Sequence, residues 1–286
     1  MNILVIGGVT IDILHLPGQP NLITAPGGAG MYTALAGHYS LSEPQRGCVT
    51  RSRVTLFAQR PNPLPEILQP IAQTLHWIGP EILLADLPRL EIAHYGGGKA
   101  SLLNARWGAQ AHLKPDALPL DLSEYHFLHL AVMVTPQRQL AFLNTCRKRS
   151  GGGALISAGT NGKAAHGETE TVRELIRQTD LFFMNENEAN ALFGSVENAH
   201  AEPGKRFFIT LAERGALVID GETRTHLPAP TVTELDPTGA GDTFCGATLA
   251  GLASGLDPVS AAREGVRLAS EMIQGVGPER LLRTLF

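Results

Sequence analysis

The sequence predicts an α/β protein, a Rossmann-like doubly wound and mostly parallel sheet that carries a small β lid. Three observations lead there. Short continuous apolar runs stop at glycine or polar residues, amphipathic helical stretches alternate with them, and one glycine-joined pair of extended segments breaks the rhythm. No internal repeat or low-complexity linker divides residues 1–286. A single domain is therefore expected, with the lid formed by about 86–112 and with 12–24 as a second lid segment.

In chain order, Ile3 to Ile6 is an apolar run halted by Gly7-Gly8, the pattern of a strand buried on both faces. Thr135-Pro136 supplies a hydroxyl cap and a proline at the first helical position, so the following QRQLAFLNTCRKR reads as an amphipathic helix. Gly151 to Gly153 end it, and ALISAG returns as a strand. Glu168 to Gln178 reads as helix, Leu181 to Asn185 as a buried strand, and a short helix runs on to Gly194. Arg206 to Leu211 and Ala216 to Asp220 are further strands, and two helices, about Gly239 to Ser254 and Pro258 to Gln274, dominate the last third. The exception is Glu91 to Tyr95 and Ser101 to Ala111, extended segments joined by Gly96-Gly97-Gly98-Lys99. Consecutive glycines supply the positive φ that a tight turn needs, which predicts a hairpin, either a lid over a cleft or a plain edge.

Composition narrows the function. The chain is 43% hydrophobic, with net charge −4 and no long run of Lys or Arg. Nucleic acid and anionic membrane surfaces are thereby disfavoured, because phosphate contacts need clustered cations. No apolar stretch reaches the roughly 18 residues needed to cross a bilayer. The amino terminus MNILVIGG enters a strand-like run with no basic leader, and Cys48, Cys146 and Cys245 are scattered in no metal-ligand spacing. A reducing, cytoplasmic setting is expected. His126 and His129 lie in a strand-like stretch with no third ligand near, so they read as core or edge histidines.

Chemistry concentrates at three places. In Asp236-Pro-Thr-Gly-Ala-Gly-Asp242, Gly239, Ala240 and Gly241 lack bulky side chains, so their N–H groups can approach an anion where a helix begins. Asp242 has two readings, an acid facing the helix dipole or a base on an attacking hydroxyl. The small residues Gly246, Ala247, Ala250 and Gly251 imply that a backbone or ligand lies close against this helix. Second, Asn185 and Glu188 are three apart where a strand meets a helix, the spacing of a capping box and also of a site that can hold Mg²⁺ through water. Third, Gly7-Gly8, Asp12 and the loop Pro26 to Gly30 put an acid and close-approach glycines beside the first strand. A carboxylate there suits a polyol, since it can accept hydrogen bonds from two vicinal hydroxyls. Gly98-Lys99 sits in a hairpin and not between strand and helix, so it is no P-loop, and no G-x-G-x-x-G follows the first strand. Cys245 sits in the first turns of a helix, where its pKa can be lowered, but reads better as a small buried side chain.

Taken together, Asp12 with Gly27-Gly28, Asn185-x-x-Glu188, Thr210-Leu-Ala-Glu-Arg-Gly215 and Asp236-Pro-Thr-Gly-Ala-Gly-Asp242-Thr-Phe, in this order along nearly the whole chain, resemble the ribokinase-like (PfkB) family of sugar and nucleoside kinases. The resemblance implies ATP and Mg²⁺ as cofactors. It makes Asp242 the catalytic base and Gly239 to Asp242 the anion hole. Asn185 and Glu188 would act on the ATP phosphates and on Mg²⁺-bound water, and Thr210, Ala212 and Gly215 would line the nucleotide. Asp236 and Thr238 match positions that hold a monovalent cation, K⁺, in some members. Asp12, Gly27 and Gly28 would grip a small sugar or polyol acceptor, with Tyr32 and Arg106 as further acceptor-site candidates.

The departures bear on the acceptor. Met31-Tyr32 stands where ribose-specific members resemble Ala-Asn, and Tyr32 would bring a bulky stacking face. Ser157-Ala-Gly-Thr-Asn161 replaces the usual Asp-x-Asn, and Ala212 replaces a usual glycine. Inositol and nucleoside kinases are the alternatives within the family; Gly275-Val-Gly-Pro278 resembles the former. From other classes, a ligand sensor that lost turnover would have no need of Asp242, and a nicotinamide oxidoreductase lacks its dinucleotide turn. Lid residues Tyr95, Asn104 and Arg106 are expected to contribute to the acceptor site. An exposed lid sheet either pairs with a second copy as a homodimer or stays free.

Overall fold

A computed structural model describes residues 1–42, 52–97 and 99–282. Cys48, and Gly98 of the expected hairpin turn, lie outside the described residues. The elements, in chain order, are β1 (Asn2–Ile6), β2 (Thr10–His15), β3 (Ile23–Gly27), α1 (Ala29–Ser42), β4 (Val54–Phe57), β5 (Arg60–Pro61), α2 (Gln69–Thr74), β6 (His76–Ile78), β7 (Glu81–Ile82), β8 (Arg89–Gly96) and β9 (Lys99–Arg106). They continue with β10 (Tyr125–Leu130), α3 (Pro136–Arg149), β11 (Leu155–Gly159), α4 (Gly162–Gly167), α5 (Thr169–Gln178), β12 (Leu181–Asn185), α6 (Glu186–Phe193) and β13 (Arg206–Thr210). The last are β14 (Ala216–Asp220), β15 (Thr223–Leu227), α7 (Ala240–Ala253), α8 (Pro258–Met272) and α9 (Glu279–Leu282).

The main sheet has nine strands in the order β15-β14-β13-β12-β11-β10-β1-β4-β6. From β13 to β6 every pairing is parallel, while β14 and β15 close the other edge antiparallel. Successive side chains of β1 serve opposite faces. Ile3 and Val5 join the core that holds Met31 of α1 and Phe244 of α7, and Leu4 and Ile6 join the one that holds Phe142 of α3 and Leu175 of α5. That two-sided burial explains why the strand reads as one continuous apolar run. Thr135 caps α3 by accepting from the Arg138 N–H, as its sequence implies.

A second sheet, ordered β3-β2-β8-β9, stands apart from the first. Both segments expected to form the lid contribute to it. The second extended run ends earlier than its sequence suggests, at Arg106, and 108–112 coils into a 3-10 turn. Gly108 takes φ 50° there, with a Cβ position only 2.1 Å from the Asp86 carbonyl oxygen, so the turn packs directly on the backbone at Asp86. Helix α1 was not foreseen. It is packed between sheet and α7, with apolar and small residues on nearly all sides, so the 3.6-residue alternation is missing.

The approach of α1 and α7 depends on Gly246, where an added Cβ would fall 2.1 Å from the Thr33 carbonyl oxygen. Gly246→Ala gains about 1 kcal/mol of helix propensity but overpacks this contact by up to about 3 kcal/mol. The expected result is a net loss of about 2 kcal/mol in urea unfolding, read at unchanged m-value.

Candidate active site

The carboxyl ends of β1, β10, β11, β12 and β13, the start of α7 and the inner face of the small sheet surround a cavity of about 370 Å³. This is the usual ligand position in an open α/β sheet. Asp12, Gly28, Tyr32, Asn185, Glu188, Thr210, Thr238, Gly239, Gly241 and Asp242 all line it. The three stretches singled out in the sequence therefore converge on one space.

Asp242 lies in the first turn of α7. Protein crowds it, yet part of its surface stays open to the cavity. Burial pushes its carboxyl up to about 7 from the ordinary 3.8. Gly239 enters the helix in the left-handed conformation, φ 78°, and a Cβ there would strike the Tyr32 ring at 2.4 Å. Tyr32 is thus the buried floor under this turn, 1% exposed, and not the projecting stacking face its size suggests. Of the proposed anion-hole amides, Ala240 donates to the Pro237 carbonyl at 3.1 Å. The N–H groups of Gly239, Gly241 and Asp242 find no acceptor among the described residues, which leaves them for an anion at the helix start.

Asn185 and Glu188 form a complete capping box. Asn185 Oδ1 accepts from the Glu188 N–H at 2.9 Å, and Glu188 Oε2 accepts from the Asn185 N–H at 2.8 Å. Glu188 is 5% exposed, and desolvation, with Asp242 nearby as a second anion, pushes it up to about 7 against the lowering effect of Asn185. Asp12 stands in the middle of β2, its carboxyl pushed up to about 6 chiefly by burial although Thr10 Oγ1 donates to it at 2.5 Å. Gly27 is needed opposite, since a Cβ there would lie 1.9 Å from Asp12 Oδ2.

The chemistry of these donors fits Mg²⁺. No group of three or more His, Cys, Asp or Glu able to cage a metal exists among the described residues. Mg²⁺ does not require one, because it keeps water and takes one or two carboxylates together with phosphate oxygens. Glu188 and Asp242, each desolvated and both on the cavity, would be relieved by such a charge. Asp236 and Thr238 stand differently. Asp236, 1% exposed, accepts from the Thr238 N–H at 2.9 Å and the Gly277 N–H at 2.8 Å, while His94 Nε2 lies 2.8 Å from Thr238 Oγ1 and 3.5 Å from Asp236 Oδ1. An imidazole therefore stands against both candidate cation ligands.

Some expected residues lie elsewhere. Arg106 is exposed and its guanidinium donates to the Ala85 carbonyl; Tyr95 and Asn104 are exposed as well. Ala212 and Gly215 sit in the turn after Thr210, outside the cavity lining. Ala212 holds φ 53° without being glycine, a conformation that costs about 1 kcal/mol. Cys245 is buried beside His129, and desolvation and Asp242 raise its thiol, the opposite of an activated cysteine. His129 pairs with Ser157 at 2.9 Å, and burial holds it down at about 3, a neutral core histidine.

The small sheet and the turn that follows it reach the cavity through residues other than the expected Tyr95, Asn104 and Arg106. Leu90, Ile92, Trp107 and Gln110 line the cavity. Gln110 is 8% exposed, lies against Gly8 and has a buried Oε1 without a partner among the described residues. No motif marks these positions, because the bend at Gly108 that aims the last two follows from tertiary contact.

Known proteins resemble this chain in sequence and in fold. The family profile "pfkB family carbohydrate kinase" matches residues 89–285. The cytidine kinase of Thermococcus kodakarensis is 27% identical over 286 aligned residues, covering 97% of this chain and 98% of that one. Two solved structures share the fold. An adenosine kinase from Sinorhizobium meliloti superposes with a TM-score of 0.79 at 20% identity, covering 97% of this chain and 95% of that one. A ribokinase from Cryptococcus neoformans in complex with ADP superposes with a TM-score of 0.77 at 21% identity, covering 98% and 96%. The chain belongs to the pfkB family of carbohydrate kinases, ATP-dependent phosphotransferases that act on hydroxyl groups.

Because the Asp242 carboxyl titrates higher in the fold than its ordinary 3.8, the folded state binds that proton more tightly. Its stabilising share is complete below pH 3.8 and is lost as pH rises through about 7. Asp242→Asn should thus gain stability over the wild type as pH rises, by about 1–3 kcal/mol after allowance for the side chain's contact with solvent. Urea unfolding of both proteins at acid and alkaline pH reads this directly.

Proposed function

We propose that this pfkB-family enzyme is a nucleoside kinase, transferring the γ-phosphoryl group of ATP to a sugar hydroxyl of a nucleoside. The observation that carries the reading is one cavity holding Asp242, the unpaired amides at the start of α7, Asp12, and an apolar wall ending in Gln110, whose Oε1 has no partner among the described residues. A free sugar or polyol would use Asp12 but leave Leu90, Ile92 and Trp107 facing little. A nucleoside brings a flat base for that wall. The full-length similarity to a cytidine kinase supports the same acceptor class over the plain sugar expected from the motifs alone.

The reaction follows from the residues. Asp12 accepts hydrogen bonds from ribose hydroxyls and turns another hydroxyl toward Asp242. The Asp242 carboxylate takes that hydroxyl's proton as its oxygen bonds to the γ-phosphorus, and the bridging oxygen leaves with ADP, keeping the electron pair of the broken bond. The amides of Gly239, Gly241 and Asp242 hold the transferring group, each worth up to about 3 kcal/mol in a water-poor site by analogy with oxyanion holes. When bound, Mg²⁺ supplies charge neutralisation on the phosphates, with Glu188 holding its water. The small sheet, as a lid, excludes water and limits wasteful ATP hydrolysis.

A coupled ADP-release screen over nucleosides, sugars and inositols should give turnover with nucleosides; turnover confined to free sugars or inositols would overturn the acceptor class. With the best acceptor, Asp242→Asn should lose about 10²–10⁴ in kcat. Its KM values should stay nearly unchanged, and a variant with near-wild-type kcat would remove the base assignment. Because Asp242 works deprotonated, wild-type kcat/KM should rise with pH and level off above about 7.

A further inference from the structure

We propose that His94 is a positioning residue that braces the phosphate-holding loop from the small sheet, doing here what the family resemblance assigns to a monovalent cation. The inference rests on the kinase reading only for its catalytic consequence. His94 sits on β8 and is 6% exposed, while the next residue, Tyr95, is 63% exposed, so the strand turns the imidazole inward. Its Nε2 lies 2.8 Å from Thr238 Oγ1 and 3.5 Å from Asp236 Oδ1. With Nε2 as donor, both oxygens face an N–H.

Asp236 gathers three parts of the chain. It takes the Thr238 N–H on Oδ1, the Gly277 N–H on Oδ2, and His94 from the small sheet as the third contact. A carboxylate only 1% exposed is costly unless its lone pairs are met by donors or a cation. The imidazole meets that need from the protein itself and fills the space against both oxygens. Thr238 immediately precedes Gly239, whose left-handed turn opens α7 and its free amides. Seating the small sheet and setting the phosphate cradle are thus one event, joined through His94.

The test compares potassium chloride with tetramethylammonium chloride at equal ionic strength, reading both kcat and the melting midpoint. Wild-type kcat should differ by less than about twofold between the salts, and His94→Ala should lose about tenfold or more in tetramethylammonium chloride, the size expected for a supporting residue. Potassium should restore part of that loss and raise the melting midpoint of His94→Ala but not of the wild type. His94→Gln, which returns an N–H near the Nε2 position, should keep most of the activity and covers the case in which the alanine variant does not fold. The proposal is overturned if potassium activates the wild type about tenfold. It is equally overturned if His94→Ala keeps wild-type kcat in both salts, or if His94→Gln loses about tenfold or more of the wild-type kcat in tetramethylammonium chloride. Should no acceptor turn over, the kinase reading falls, but a potassium-dependent rise in the wild-type melting midpoint would still overturn the role of His94.

Discussion

Three carboxylates, Asp12, Glu188 and Asp242, share a cavity lined by no Lys or Arg among the described residues. All three are pushed above their ordinary range, chiefly by burial. Most other features of the site answer the problem this poses: a highly anionic nucleotide must enter an acidic, desolvated cleft. Under the proposed function, backbone amides at the start of α7 and a hydrated divalent cation would be the means by which such a cleft accepts phosphate. The raised carboxyl of Asp242 is also what a base working near neutral pH requires.

Holding those amides open places demands on the fold around them. Gly239 must turn left-handed over the Tyr32 ring, and α7 must lie against α1 closely enough that Gly246 meets the Thr33 carbonyl. The chain accepts a helix weak by propensity in return for that approach. Asp236, clipped by Thr238, Gly277 and His94, fixes the loop from behind. The conformation of this loop is set less by the residues on the cavity than by the small and buried ones beneath them.

How much of this the sequence disclosed depends on whether a residue's role is local. The parallel strands were legible because two-sided burial makes a continuous apolar run, and Asp242 was legible because a glycine turn and an acid sit within one helical turn. The capping box of Asn185 and Glu188 follows from spacing alone. Helix α1 was illegible for the opposite reason: sandwiched between sheet and helix, it shows no polar face. Strand alternation cannot foresee the turn at Gly108, where Trp107 and Gln110 line the cavity while Arg106 lies exposed outside it. His94 carried no signal, since its partners Asp236 and Thr238 lie far along the chain.

In the proposed reaction Asp242 is a desolvated carboxyl poised to act as a base, its charge state set by the cleft and the incoming nucleotide complex. Carbon-13 NMR titration of the aspartate carboxyls, with the Asp242 signal assigned from Asp242→Asn, measures this most directly. A midpoint near 7 is expected in the free protein, shifting downward when Mg²⁺ and nucleotide bind. A midpoint in the ordinary carboxylate range in the free protein, unmoved by Mg²⁺ and nucleotide, would contradict it.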